Sequence, residues 1–243
     1  MNLNYLKEVN MRELVFDTET TGFYADKGDR IIEIGMVELV DRKLTNNNLH
    51  MYFNPEREVS KDAIEVHKIT NEFLFDKPLF SEKAKEIFDY IGSDSKLIAH
   101  NASFDMSFLN MELKKAGFPI IEKDRFIDTL SLSRKKYPQY SKHSLDAICN
   151  RLDISLSERE KQGHGALLDS LLLVKVYFDL TDKKELDFAE DNKQKQNVKI
   201  DLLKLYNDKT VKNFRTVFPS QIELDDHDST ISKIKDSIWL HGD

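Results

Sequence analysis

The order of apolar patterns along the chain constrains its fold more than any other feature. Three strand-like stretches come first, at residues 12–18, 31–40 and 48–53, and the polar residues between the last two indicate a hairpin or meander. Helical spacing follows at 60–68, 81–91, 103–116, 144–152 and 166–180, with short apolar strands at 97–100 and 125–130. A meander followed by such alternation predicts an α/β domain with a mixed sheet flanked by helices.

The pattern ends near residue 180, which predicts a domain over residues 1–180. Residues 181–199 (TDKKELDFAEDNKQKQNVK) are rich in charged and amide side chains and predict a flexible linker. Apolar residues return in 200–243, where the only tryptophan, Trp239, stands beside isoleucines at helical spacing. We therefore expect a C-terminal tail after the linker, which either packs on its own domain or binds a partner, with Trp239 as a reasonable anchor.

Acidic side chains follow two of the predicted strands. Asp17 and Glu19 are two residues apart in a strand and therefore project to the same face. Asp105 lies in the first turn of the helix after residues 97–100. Each observation alone has a simpler explanation. Asp17 and Glu19 fit an exposed strand end, and Asp105 fits an acid that complements a helix dipole. Strand ends are, however, where α/β sheets usually bind ligands.

Asp169 is less easily explained as a surface residue. It begins the apolar face that Leu172, Leu173 and Val176 continue along the same helix. A carboxylate directed toward a core is costly unless it meets a cation or hydrogen-bond donors. His164 precedes it by five positions, between two glycines that favour close approach by a ligand, although a loop residue or helix cap is the simpler reading.

Taken together, these four carboxylates and one histidine predict a metal site. Carboxylate oxygens suit Mg²⁺ or Mn²⁺, and two such cations roughly 3.5–4 Å apart can clamp the attacking and leaving oxygens of a phosphodiester. An imidazole with an ordinary pKa of roughly 6.5 suits a general base near neutral pH. Since the chain has one cysteine, Cys149, a cysteine-based zinc cluster is excluded.

The net charge of −7 limits how the chain can bind DNA. Proteins that grip duplex DNA by neutralising phosphates usually carry a basic excess, so strong unaided duplex binding is not expected. The single cysteine fits a reducing cytoplasm, and no apolar run is long enough to cross a bilayer. We expect a cytoplasmic protein with no membrane association.

Three segments resemble, in order and spacing, the motifs of the DEDDh exonucleases. They are DTETTG at 17–22, HNASFD at 100–105 and HGALLDS at 164–170. Within that family, residues 11–180 are similar to the epsilon subunits, the proofreading exonucleases of bacterial DNA polymerase III. The resemblance implies a ribonuclease H-like fold and a 3′→5′ DNA exonuclease that releases nucleoside 5′-monophosphates during DNA replication.

The resemblance also implies a role for each matching residue. Asp17, Glu19 and Asp169 bind metal, Asp105 completes the shell of the second ion, and His164 is the base. Thr18 and His67 flank the terminal nucleotide, and Asn101 helps to position the strand. The catalytic set is thus Asp17, Glu19, Asp105, His164 and Asp169, and the substrate-binding set is Asp17, Thr18, Glu19, His67, Asn101 and Asp169.

The C-terminal segment 214–240 resembles the part of epsilon subunits that binds the polymerase (alpha) subunit. Residues 184–188 (KELDF) occupy the position of a sliding-clamp motif, in which Leu186 and Phe188 could fill a pocket. Lys183 stands where that motif usually has glutamine. The implied partners are a single-stranded 3′ end of DNA, the alpha subunit and the clamp.

Two other functions remain open from the residues alone. An exoribonuclease of the same family would use the same catalytic residues, although it needs no linker and apolar tail. A non-catalytic subunit that stabilises a polymerase would need the tail but not the five intact site residues.

Overall fold

A six-stranded mixed sheet lies between helices in the computed structural model of the chain, which describes residues 11–181. The strands are β1 (Arg12–Thr20), β2 (Ile31–Val40), β3 (Lys43–Leu44), β4 (Leu49–Tyr52), β5 (Lys96–Ala99) and β6 (Phe126–Asp128). The helices are α1 (Lys61–His67), α2 (Asn71–Leu74), α3 (Phe80–Ile91), α4 (Ala102–Lys115), α5 (Thr129–Lys136), α6 (Leu145–Arg151), α7 (Ser157–Gln162) and α8 (Ala166–Leu180). The predicted α/β class with a mixed sheet is confirmed.

Strand β1 is central, and its length creates an opening in the sheet. It pairs antiparallel with β2 along its whole length, but it pairs parallel with β5 only over residues 13–15. The chain leaves the sheet after Ala99, so the last part of β1 continues without β5 beside it. Crevices of this kind at the carboxyl ends of parallel strands are the usual ligand sites of α/β sheets.

Side chains that alternate along β1 contribute to two separate hydrophobic clusters. Leu14 and Phe16 pack on one face with residues of α3 and α4. Val15 packs on the other face with α6 and α8. Asp17 and Glu19 lie two and four residues after Val15, so their side chains project toward the same face, which α8 covers. Thr18 projects toward α4.

Two features of the fold differ from the sequence prediction. The predicted strand at 125–130 ends at Asp128, because the Asp128 carboxylate accepts hydrogen bonds from the backbone N–H groups of Leu130 and Ser131 and caps α5. Helices α2, α5 and α7 were not predicted; α2 and α7 are short, and α7 (SEREKQ) has no apolar face.

The predicted linker at 181–199 and tail at 200–243 lie outside the described residues, apart from Thr181. None of the helices in residues 11–181 is both long and apolar enough to span a membrane.

Candidate active site

Helix α8 brings Asp169 against the end of β1. Asp169 lies in the first turn of α8 and is 3% exposed, while Glu19 is buried and Asp17 half-buried on the strand. One ligand atom each from Glu19, His164 and Asp169 lies within 4.8 Å of the others. Residues 150 positions apart along the chain therefore meet in a single cluster.

Gly35 on β2 allows this close approach of α8. It pairs with Asp17 in the β1–β2 register, and a Cβ atom there would lie 2.3 Å from the backbone nitrogen of Leu167. The Ser170 hydroxyl donates to the Gly35 carbonyl oxygen at 3.0 Å, so the start of α8 is also hydrogen-bonded to the strand. The distance between Asp169 and β1 thus depends on a residue without a side chain.

Asp105 reaches β1 from the opposite face of the sheet. Its Oδ1 accepts hydrogen bonds from the backbone N–H of Thr18 at 3.0 Å and from the Thr18 hydroxyl at 2.8 Å. Asp105 is 2% exposed and stands in the first turn of α4, directly after β5 ends. The cluster therefore straddles the end of β1, with α4 on one side and α8 on the other.

His164 is held in the loop between α7 and α8. Gly163 has a φ of +85°, which favours glycine, and the His164 N–H donates to the Val66 carbonyl at 3.3 Å. This bond ties the loop to the end of α1, next to the buried His67. Nδ1 of His164 lies 3.5 Å from Oδ2 of Asp169.

All four carboxyl groups are harder to ionise than ordinary carboxyl groups. Burial, followed by the charge of Asp105, raises the pKa of Asp17, and burial followed by the charge of Glu33 raises the pKa of Glu19. Burial raises the pKa of Asp105 to about 7 and that of Asp169 to about 6. Because these carboxylates are buried and repel one another, a bound cation would strongly stabilise their ionised forms.

A fifth carboxylate, on Glu33, belongs to the same surroundings. Glu33 pairs with Glu19 in the β1–β2 register and is 2% exposed. Its Oε1 lies 2.6 Å from Nε2 of His50, while Oε2 has no hydrogen-bond partner within residues 11–181. Sequence reasoning missed this residue, although a glutamate inside the apolar strand IIEIGMVELV was a visible signal.

Arg159 supplies positive charge to the cluster and was also missed. Its guanidinium donates to Asp169 Oδ2 at 2.7 Å, lies 2.7 Å from His164 Nδ1 and also pairs with Asp146. Burial, followed by the charge of Arg159, lowers the pKa of His164 to about 4. The charged run SEREK around Arg159 reads as a solvated surface, so no sequence signal pointed to it.

The remaining predicted residues, Thr18, His67 and Asn101, lie in different surroundings. A cavity of about 200 Å³ borders the cluster, and its lining includes Glu33, Tyr52, His67, Phe73 and His164. Thr18 is bonded to Asp105, as described. Asn101 is exposed at the start of α4, where its Oδ1 accepts a hydrogen bond from the Ser103 hydroxyl.

The donor set fits divalent cations that prefer oxygen ligands. Oδ1 of Asp169 is buried and has no hydrogen-bond partner in the described part of the chain, so it is free to bind a cation. Glu19 and His164 offer further donor atoms within the same cluster. Carboxylates with raised pKa values and an unpartnered buried oxygen are what a cation site requires.

Comparison with known proteins places the chain among nucleases. Residues 14–177 match the RNase T family, which is described as exonuclease. The chain is 42% identical over 228 residues to the DNA polymerase III subunit epsilon of Rickettsia felis. The aligned part covers 93% of this chain and 97% of that protein.

Two solved structures share the fold. Exonuclease X in complex with 5′ overhanging duplex DNA superposes with a TM-score of 0.55 at 27% identity, over 72% of this chain and 92% of that one. The nuclease domain of 3′hExo, a DEDDh family member bound to rAMP, superposes with a TM-score of 0.56 at 18% identity, over 76% of this chain and 99% of that one. The expected ribonuclease H-like exonuclease fold is thereby confirmed.

Proposed function

This chain belongs to the exonuclease family, and within it to the epsilon subunits of DNA polymerase III, and on that basis we propose how its residues perform 3′→5′ proofreading of DNA. The reaction is hydrolysis of the 3′-terminal phosphodiester. Water adds to phosphorus, the bond from phosphorus to the 3′ oxygen of the preceding nucleotide breaks, and a nucleoside 5′-monophosphate leaves.

The observation that carries this proposal is the convergence of three distant segments at the end of β1. Asp17 and Glu19 come from the strand, Asp105 from α4 and Asp169 from α8, with His164 alongside. Such a cluster of buried carboxylates is costly for a protein that does not use it. A purely structural subunit gains nothing from it.

Two Mg²⁺ or Mn²⁺ ions, when bound, would stabilise the charge that develops on the attacking and leaving oxygens. Asp17, Glu19, Asp105 and Asp169 would hold them. The unpartnered Oδ1 of Asp169 is the ligand atom for which a cation is most clearly needed.

His164 would act on the attacking water. Its lowered pKa keeps the imidazole neutral near pH 7, so it can accept the proton that water loses as it adds to phosphorus. The leaving 3′ oxygen takes up a proton from solvent. The half-exposed position of His164 leaves it within reach of a substrate.

The substrate is the single-stranded 3′ end of DNA. Thr18, His67 and Asn101, together with Asp17, Glu19 and Asp169, would contact the terminal nucleotides. The net charge of −7 favours a division of labour in which the polymerase holds the duplex. A mismatched end frays more easily, so selectivity for errors needs no reading of base identity.

Three finer points extend the proposal to the partners and the compartment. Residues 200–243 would bind the alpha subunit, and residues 181–199 would act as the flexible connection. Leu186 and Phe188 would contact the sliding clamp. A cytoplasmic location accords with one reduced cysteine, Cys149, which is buried and free.

Replacement of Asp17 and Glu19 by Ala tests the site. We expect hydrolysis of a single-stranded DNA to fall by at least about 10³-fold, since the ligands of both ions are reduced. The assay follows nucleoside 5′-monophosphate release with Mg²⁺, with Mn²⁺ and with EDTA. Binding of the double variant to the alpha subunit should be unchanged.

The control is Asp94→Ala, an exposed acidic residue before β5, at the other end of that strand from the site. Its activity should match the wild type. Matched DNA and RNA strands and matched and mismatched primers complete the assay, with DNA and mismatched ends degraded faster. Full activity in the double variant would contradict the site, and a preference for RNA would contradict the substrate.

A further inference from the structure

Arg159 lies at the centre of a hydrogen-bonded group, and the proposed mechanism gives Arg159 itself no role. It stands on α7, and its side chain is 9% exposed. Its Nη2 contacts His164 and Asp169, and its Nη1 pairs with Asp146 on α6. One guanidinium thus links the proposed base, a proposed metal ligand and a neighbouring helix.

The contact with His164 determines where the imidazole carries its proton. Every nitrogen of a guanidinium is a donor, and arginine stays charged at all ordinary pH values. An imidazole nitrogen 2.7 Å from Arg159 Nη2 must therefore be the acceptor. Since that atom is Nδ1, the proton of the neutral ring is on Nε2.

This arrangement leaves His164 without an available lone pair. The lone pair on Nδ1 is taken by Arg159, and Nε2 carries a hydrogen. Oδ2 of Asp169 also lies near Nδ1, at 3.5 Å. That oxygen is an acceptor, so without the guanidinium it would favour a hydrogen on Nδ1 and free the lone pair of Nε2.

We propose that Arg159 is a positioning residue that fixes the tautomer of His164, so that the imidazole becomes a proton acceptor only when Arg159 leaves Nδ1. The proposal builds on the role of His164 in the proposed function. Asp146, whose side chain is half exposed, pairs with Nη1 of the guanidinium, the terminal nitrogen that does not contact His164. Arg159 also holds Oδ2 of Asp169 and leaves Oδ1 for a cation.

Proton-detected nitrogen NMR of the histidine rings in the full chain tests this assignment. His164 is identified by the loss of its signals in His164→Gln, and spectra are recorded at pH 8 in EDTA. We expect the hydrogen on Nε2 in the wild type and on Nδ1 in Arg159→Met, which keeps a long apolar stem but has no donor. Arg159→Lys retains one donor and should restore the wild-type pattern.

Arg151→Met is the matched control. Arg151, the last residue of α6, stacks on the Tyr140 ring and donates to the Lys142 carbonyl without touching the site. It should leave the His164 signals unchanged. A hydrogen on Nδ1 in the wild type, or the same tautomer in the wild type and Arg159→Met, would overturn the proposal. Should Arg159→Met fail to fold, the wild-type spectrum still tests the proposal, because a hydrogen on Nδ1 there would overturn it.

The outcome is separable from that of the proposed function. Nucleotide release by His164→Gln tests whether the imidazole takes part in hydrolysis. The ring spectra report the tautomer whether or not the chain cleaves DNA. An active His164→Gln variant would thus contradict the role of the base and leave the tautomer assignment standing.

Discussion

Asp105 shows at the scale of a single residue how the fold holds a charge that burial opposes. Two hydrogen bonds from Thr18 favour the ionised form, yet desolvation is the larger effect and raises the pKa to about 7. A carboxyl group whose pKa is raised on folding stabilises the protein at low pH. That stabilisation is complete below the unfolded pKa of about 4 and is lost as the pH rises through 7.

Asp105→Asn should therefore change the pH dependence of stability. The amide oxygen can still accept both bonds from Thr18, but it has no charge to desolvate. In EDTA, we expect the variant to gain stability relative to the wild type between pH 5 and pH 8, on the order of 2 kcal/mol. Urea unfolding at both pH values measures the difference, with Asp94→Asn as the control. Parallel curves for wild type and Asp105→Asn would contradict the pKa assignment.

The packing of α8 on β2 is the feature that matters most at the scale of elements. α8 is buried along most of its length, and its first turn lies against the backbone of Gly35. Because the helix carries Asp169, the same contact that completes one hydrophobic cluster also sets the geometry of the site. The close approach of the α8 backbone to Gly35 therefore serves both the packing of the core and the position of Asp169.

Gly35→Ala should move α8 away from β1. The added Cβ would overlap the backbone of Leu167 and Ala166, which cannot shift without the helix. We expect a loss of roughly 2–4 kcal/mol in the free energy of unfolding and at least about 10²-fold lower nuclease activity, as for other overpacked cores and misaligned catalytic groups.

Gly117→Ala provides the comparison for that exchange. Gly117 follows α4, has a φ of +83° and has open space around its Cβ position, so only backbone strain applies. It should lose roughly 1 kcal/mol of stability and keep its nuclease rate. Equal activity loss in both variants would refute the specific role of Gly35.

Elements with strong periodicity were predictable, and those set by single hydrogen bonds were not. β2 and α8 have the predicted bounds because long apolar patterns of period 2 and 3.6 are local properties. The start of α5 depends on the Asp128 carboxylate capping two N–H groups, which a short apolar run does not reveal. α7 has six residues and no apolar stripe.

On the scale of the whole molecule, two hydrophobic clusters of the described residues share strand β1. Their described members all lie between Leu14 and Leu180 and pack on the two faces of one sheet. The cluster of site residues joins the two faces at the end of β1. The domain boundary predicted near residue 180 stays a prediction, since residues 182–243 lie outside the described part of the chain.

A fragment of residues 1–181 should keep its nuclease activity and lose its partner. We expect its rate on single-stranded DNA to lie within about twofold of that of the full chain, because all the proposed catalytic residues remain. Its binding to the alpha subunit, measured by gel filtration, should be lost, since residues 200–243 are absent. Retained binding would contradict the division into catalytic and partner-binding parts.

The sequence by itself determined which strand or helix holds each of the four proposed metal-binding carboxylates. Asp17 and Glu19 share a strand face, and Asp105 and Asp169 begin helices, because these properties depend on spacing over a few residues. Only the tertiary structure decided that Glu33 stands opposite Glu19, that Gly35 receives α8 and that Arg159 reaches His164 and Asp169. Those relations depend on strand register, helix packing and a buried ion pair, which arise when distant segments are packed together.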